Sequence, residues 1–239
     1  MIKDKIRIKA GQANKAVIVG GGPSTMTQDW EKIRAQSKNT IFLACNRIGL
    51  IFDSTSWRPD IYTCFASSSI KRQDWIENVD RCVSEEKILS LVDSRFKNVS
   101  SLQNFHENVI FCKNIFEHYR HGPIYRDFLN VNLNKGILKS FSATVPLFQI
   151  CDSLNIKSIA VIGQDGYIFE KGENHFDKKY NDEPSNYKLS NTRLKGIHEE
   201  FKRYFKPKKV KIYNSSPKSI IQDTHEFVDL ADFVKEDLN

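Results

Sequence analysis

Short apolar runs punctuate the chain, and each ends in small or hydrogen-bonding residues. Lys15-Ala16-Val17-Ile18-Val19-Gly20 is apolar without alternation, the pattern of a strand covered on both faces in a parallel sheet. Gly20-Gly21-Gly22-Pro23-Ser24 breaks this strand, and Asp29 to Gln36 reads as a helix. Thr40 to Cys45 and Asp60 to Ala66 predict a second and a third strand, followed by weaker candidates at Lys87–Val92 and Val109–Cys112. Phe141–Leu154 predicts a helix packed on the sheet, Ser158–Gly163 another buried strand, and Lys209–Tyr213 a late one. Strands alternating with helical stretches predict an α/β fold with a largely parallel sheet, in a single domain over residues 1–239. Two stretches break the alternation. Glu117–Lys139 mixes aromatic, basic and Asn residues without a period. Phe169–Leu194 is a long polar loop after a strand, expected as a lid-like insertion over a ligand.

Composition narrows the classes. Apolar residues make up 40% and charged residues 27%, too apolar for a disordered chain. No apolar run approaches the roughly 20 residues needed to cross a bilayer. The charged N-terminal stretch has no apolar signal core, so the expected location is the cytoplasm. Five Cys form no CxxC pair and sit mostly beside apolar neighbours, as reduced core cysteines do. Most of the net charge of +7 comes from Lys202, Arg203, Lys206, Lys208, Lys209 and Lys211. Such a run is commonly a solvated face. Interleaved with Phe201, Tyr204 and Phe205, it also suits peripheral contact with an anionic membrane, at the inner face of the cell membrane. No recognition motif accompanies the charge, so no nucleic-acid partner is expected. Self-association is left open.

Ligands of open α/β sheets bind at the carboxyl ends of the strands. The residues there are Gly20–Ser24, Asn46-Arg47, Ser67–Ser69, Gly163–Tyr167 and Asn214–Ser216. The Gly-rich turn lets backbone N–H groups approach an anion or simply makes a tight turn, and it is neither GxGxxG nor a Walker sequence. Asn46 can read a base edge or a sugar hydroxyl, or can be a turn residue. Asp165 can accept from sugar hydroxyls and Tyr167 can donate to a phosphate, or the pair can be ordinary turn chemistry. Among the six His, His175 lies in the lid-like loop between Glu173 and Asp177 and is the candidate general base. His198 is expected on a surface helix, while His106 and His225 connect to no strand end. His118 and His121 have an i,i+3 spacing that suits a metal, yet no third ligand is near and no metal is expected.

In their order these elements resemble the bacterial lipooligosaccharide sialyltransferases of glycosyltransferase family 42. The likeness is carried by Gly20–Ser24, Cys45-Asn46-Arg47, Phe141-Ser142-Ala143-Thr144, Gly163-Gln164-Asp165-Gly166-Tyr167, Phe176-Asp177, Asn191–Lys195 and Asn214–Pro217, scattered over residues 15–221. It implies a single Rossmann-like domain with a lid and a CMP-activated nonulosonic acid donor. It also implies inverting transfer to a cell-surface glycan, no required cofactor or metal, and peripheral membrane association. By that resemblance Gly21, Gly22, Pro23, Ser24 and Asn46 would line the nucleotide. Ser142, Ala143 and Thr144 would hold the donor's phosphate or carboxylate. Gly163 and Asp165 would face donor or ribose hydroxyls, and Tyr167 would steady the leaving phosphate. The chain departs from the family at three places: the base His falls near Lys188, the second lid Tyr near Asn174 or His175, and an Arg appears as Ser140. Similar Gly-Pro-Ser turns occur in motility-associated flagellin glycosyltransferases and 6-hydroxymethylpterin pyrophosphokinase-like proteins. The alternative is a nucleotide-binding protein of that group, which would need ATP, Mg²⁺ and clustered acids.

Overall fold

The apolar runs become the centre of one eight-stranded sheet. A computed structural model describes residues 2–65, 71–99, 106–115, 132–138, 142–166, 174–180 and 187–235. The strands are β1 (Lys15–Val19), β2 (Thr40–Cys45), β3 (Ile61–Cys64), β4 (Leu89–Asp93), β5 (Val109–Cys112), β6 (Asn114–Ile115), β7 (Ile137–Leu138), β8 (Ser158–Ile162), β9 (Lys211–Asn214) and β10 (Glu226–Phe227). The main sheet has the order β10-β9-β8-β1-β2-β3-β4-β5, and β6 pairs with β7 apart from it. Every pairing among the described residues is parallel.

A parallel sheet must be covered on both faces, and β1 divides its side chains accordingly. Ala16 and Ile18 enter one hydrophobic cluster, Val17 and Val19 the other. The first cluster lies under α1 (Ile2–Ala10), α4 (Val145–Ser153) and α5 (Tyr187–Phe205). The second lies under α2 (Trp30–Gln36), α3 (Gln73–Val83) and α6 (Leu230–Lys235). Local chemistry sets the ends: the Asp29 carboxylate accepts from Lys32 N–H at 3.0 Å and starts α2. Lys15, almost fully buried, donates to the Phe233 and Val234 carbonyls at 3.1 and 2.9 Å, capping the carboxyl end of α6. All five cysteines are free and buried, as their apolar surroundings predicted.

Three expectations change. Residues 187–194, read as part of the polar insertion, are the first turns of α5. His198, expected on a surface, is fully buried, because it shares the apolar stripe of Ile197, Phe201 and Phe205. Those two phenylalanines belong to the core, so they supply no aromatic contact to a membrane. Lysines 206, 209 and 211 stay exposed, while Lys208 pairs with Asp152 at 2.5 Å, Arg203 pairs with Glu200, and Lys202 donates to the Thr224 carbonyl. Among the described residues, no helix is long and apolar enough to cross a membrane.

Candidate active site

The strand order reverses between β1 and β8, and in open α/β sheets the crevice at such a reversal is where ligands bind. Val19 is level with Ala44 on one side and Ile162 on the other, so the carboxyl ends of β1, β2 and β8 lie side by side. Two sequence-predicted turns, Gly20–Ser24 and Gly163–Gly166, therefore meet at this point.

They are locked together. Gly22 N–H donates to the Gly163 carbonyl at 2.8 Å, and Ser24 N–H donates to Asp165 Oδ2 at 2.9 Å. Ser24 Oγ and Ser216 Oγ lie 2.8 Å apart, and Gly163 N–H reaches them at 3.0 and 3.1 Å. Approach this close requires glycine: a Cβ on Gly22 would sit 2.1 Å from Asp165 Oδ2. Gly163 itself has φ +73°, the left-handed region.

Asp165 is only 3% exposed. Burial pushes its carboxyl above the usual carboxylate range, against the hydrogen bonds from Ser24 and Ser216. Its Oδ1 is shielded from solvent and has no partner among the described residues. A carboxyl raised in the folded state stabilises fully only below its unfolded pKa, and that contribution is lost as pH rises through the folded value. Asp165→Asn keeps an oxygen acceptor for Ser24 N–H and removes the buried charge. The expected result is a higher melting temperature at pH 7 and no gain near pH 3, where the native carboxyl is neutral. A lower melting temperature at pH 7 would mean that the ionised carboxylate holds the turns together.

The neighbouring turn after β2 is braced as well. Asn46 has φ +55°, a conformation Asn tolerates better than most residues. Its carbonyl accepts from Tyr62 OH at 2.6 Å and Asn78 Nδ2 at 2.8 Å. Arg47 is 2% exposed and 3.1 Å from Asp74 Oδ2. The hydrogen bond from Arg72, with Arg47 and Arg72 charges adding, holds Asp74 below the usual carboxylate range. The described residues thus include a buried guanidinium at the carboxyl edge of the sheet.

Ser142 and Thr144, both buried, place their hydroxyls 2.8 Å from each other at the head of α4, with Ala143 half-buried between them. The helix runs back into β8, which sets this turn toward the carboxyl edge. His175 is half-buried with both ring nitrogens shielded from solvent. The next residue, Phe176, donates its N–H to the Gly21 carbonyl at 3.0 Å, so this short described stretch lies against the Gly-rich turn. Tyr167, Ser67–Ser69, His118 and His121 lie outside the described residues. Among the described residues no group of three or more His, Cys, Asp or Glu is arranged to hold a metal.

Sequence reasoning placed Arg47 and Ser216 among the strand-end residues without a specific role, and it did not single out Asp93. Asp93 ends β4 fully buried; burial raises its carboxyl, but hydrogen bonds from Arg95 and Asn114 outweigh that and leave it below the usual range. The available signal for Asp93 was a carboxylate closing an apolar run.

The fold is α/β with a topological switch point between β1 and β8, and it is similar to a glycosyltransferase fold. A solved structure of a variant of the sialyltransferase CST-II in complex with CMP aligns over 94% of this chain and 89% of that one, with a TM-score of 0.51. The identity is 12%, so the likeness is one of fold. No protein-family model and no curated protein sequence matches the chain.

Proposed function

We propose that this protein is a glycosyltransferase that binds a CMP-activated nonulosonic acid at the crevice between β1 and β8. The observation that carries the reading is the joined pair of turns, Gly20–Ser24 and Gly163–Asp165, at the reversal of strand order in a sheet similar to that of the CMP-bound sialyltransferase. In this reading Gly21, Gly22, Pro23, Ser24 and Asn46 line the nucleotide, and Gly163 with Asp165 supports it from the opposite turn. The hydroxyls of Ser142 and Thr144 and the backbone around Ala143 stabilise the growing negative charge on the leaving phosphate. Tyr167 donates to the same phosphate. Transfer is inverting: the acceptor hydroxyl attacks the anomeric carbon, the bond to the phosphate oxygen breaks, and the hydroxyl proton passes to His175. Neither a metal nor a cofactor enters this scheme, and the acceptor is a cell-surface glycan.

Lysines 206, 209 and 211 suit peripheral contact with an anionic membrane. Lys211 opens β9 and is level with Ser158, so it lies at the amino edge of the sheet, opposite the crevice. Membrane contact through it would leave the crevice facing away from that surface.

Thermal melts with CMP, CDP, UDP, GDP and ATP, each with and without Mg²⁺, test the donor class. A ligand at 100 times its Kd stabilises by about 2.7 kcal/mol. The expected outcome is selective stabilisation by CMP, independent of Mg²⁺. Selective stabilisation by ATP with Mg²⁺ would instead support the pterin pyrophosphokinase-like alternative.

A further inference from the structure

Two histidines that the proposed transfer does not use are buried against one another. His198 Nδ1 and His225 Nε2 are 3.1 Å apart, with His198 fully buried and His225 4% exposed. One ring must donate to the other's lone pair, so the arrangement suits two neutral imidazoles. A single proton on the pair would keep the bond but bury a charge, and a second would set two donors face to face.

The surroundings disfavour that charge. From α4 the pair meets the uncharged ring of Phe148, whose centroid is 5.9 Å from His198. From α5 it meets Phe201 and the ammonium of Lys202, which donates to the Thr224 carbonyl at 2.8 Å. Two residues before His225, the exposed Asp223 carboxylate is engaged by Lys195 at 3.4 Å. Burial, with His225 adding, drives His198 well below the ordinary imidazole value, and burial with the Lys202 charge lowers His225 to about 4.

The stretch that carries His225 also braces the crevice. Ser219 Oγ donates to the Gln164 carbonyl at 2.8 Å, and Ile220 N–H donates to the Asp165 carbonyl at 3.1 Å. His225 N–H then returns to the Ile221 carbonyl at 3.1 Å. One short segment therefore touches the Gln164–Gly166 turn at one end and the α5 histidine at the other. We propose that the His198–His225 pair is an acid-sensitive latch on the switch-point crevice: protonation frees residues 219–225 from α5 and releases the turn that holds Asp165. The part of this proposal that concerns ligand affinity rests on the nucleotide-site reading; the structural part does not.

Linkage gives the size and the sign. A base lowered in the latched state loses latch stability as pH falls below its ordinary value of 6.5, toward the latched value. His225 alone, moving between about 4 and 6.5, favours the open form by about 30-fold at pH 5 relative to pH 7.5. Amide hydrogen exchange of Ile220 and His225, corrected for the intrinsic pH dependence, reads the opening directly without any ligand. Expected is a rise in opening of at least that order in the wild type, a smaller rise in His225→Gln, where His198 still titrates, and a flat profile in the double variant His198→Gln/His225→Gln. NMR titration of the wild-type imidazoles gives a second reading that holds even if the variant does not fold. Imidazoles titrating near 6.5, or Ile220 exchange that stays flat with pH, would overturn the latch. CMP affinity, measured on the same samples, should weaken at pH 5 in the wild type and hold in the double variant His198→Gln/His225→Gln. CMP that binds at no pH would overturn the donor assignment while leaving the exchange result to decide the latch.

Discussion

Phe148→Ala should cost about 3–5 kcal/mol of folding stability, the range for removing a buried phenyl ring. Phe148 is fully buried at the centre of the face covered by α4 and α5. Its ring stacks on Phe201 with centroids 3.8 Å apart and planes at 24°, and it lies 6.0 Å from Phe205. It also meets the His198 ring edge-on. Truncation removes these contacts at once, and the neighbours are large rings that fill a void poorly. Phe148→Leu, which retains most of the volume, should cost about 1.5 kcal/mol or less. Urea unfolding reads both: the midpoint falls while the slope stays fixed. A loss below 1 kcal/mol for the alanine variant would mean that α4 and α5 are not packed as one unit across this ring.

Strand positions were legible because the fully covered strands carry an unbroken apolar signal. Lys15–Val19, Thr40–Cys45 and Ser158–Ile162 all fall within a residue of their predicted limits. Helices were harder to read. In α3 the buried set Trp75, Val79, Cys82 and Val83 has helical spacing, yet Asp, Glu and Arg between them dilute it. In α1 only Ile6 is buried, so the charged residues dominate the pattern and hide the helix. His198 follows Ile197 and precedes Phe201 by three, which places it on the apolar stripe; reading histidine as polar put it on the surface instead. Its partner is 27 residues away in an irregular loop, a pairing that periodicity does not report. The crevice was partly legible for a similar reason. The turns at strand ends could be named from the sequence, but which of them touch depends on strand order, and strand order is carried by contacts between distant segments. Gly22 and Asp165 were both singled out as ligand contacts, whereas the hydrogen bond of Asp165 to Ser24 and its closeness to Gly22 emerge only once β1 and β8 are neighbours.

Gly20→Ala is expected to be the most damaging small change at the crevice. A Cβ there would lie 2.4 Å from the Gly163 carbonyl oxygen and 2.9 Å from its carbon, both backbone atoms. The third close atom, Gln164 Nε2 at 2.6 Å, belongs to a side chain that can swing away. The backbone cannot, because Gly20 N–H donates to the Ile162 carbonyl at 2.8 Å and fixes β1 against β8 at this level. Relief requires the strands to part or the Gly163 turn to shift, and about 3 kcal/mol is the upper end of the usual cost of overpacking. Gly22→Ala should cost less, since its closest clash is with the end of the Asp165 side chain rather than with backbone. Gly196→Ala supplies the opposite sign. A Cβ at Gly196 meets nothing within 4 Å inside α5, so alanine should stabilise by roughly 0.5–1 kcal/mol through helix propensity alone. Denaturant midpoints of the three variants should therefore fall in the order Gly196→Ala above wild type, then Gly22→Ala, then Gly20→Ala. On the proposed reading, CMP affinity should weaken in the last two and stay at the wild-type value in the first. A Gly20→Ala protein as stable as wild type would show that β1 and β8 do not meet in this register.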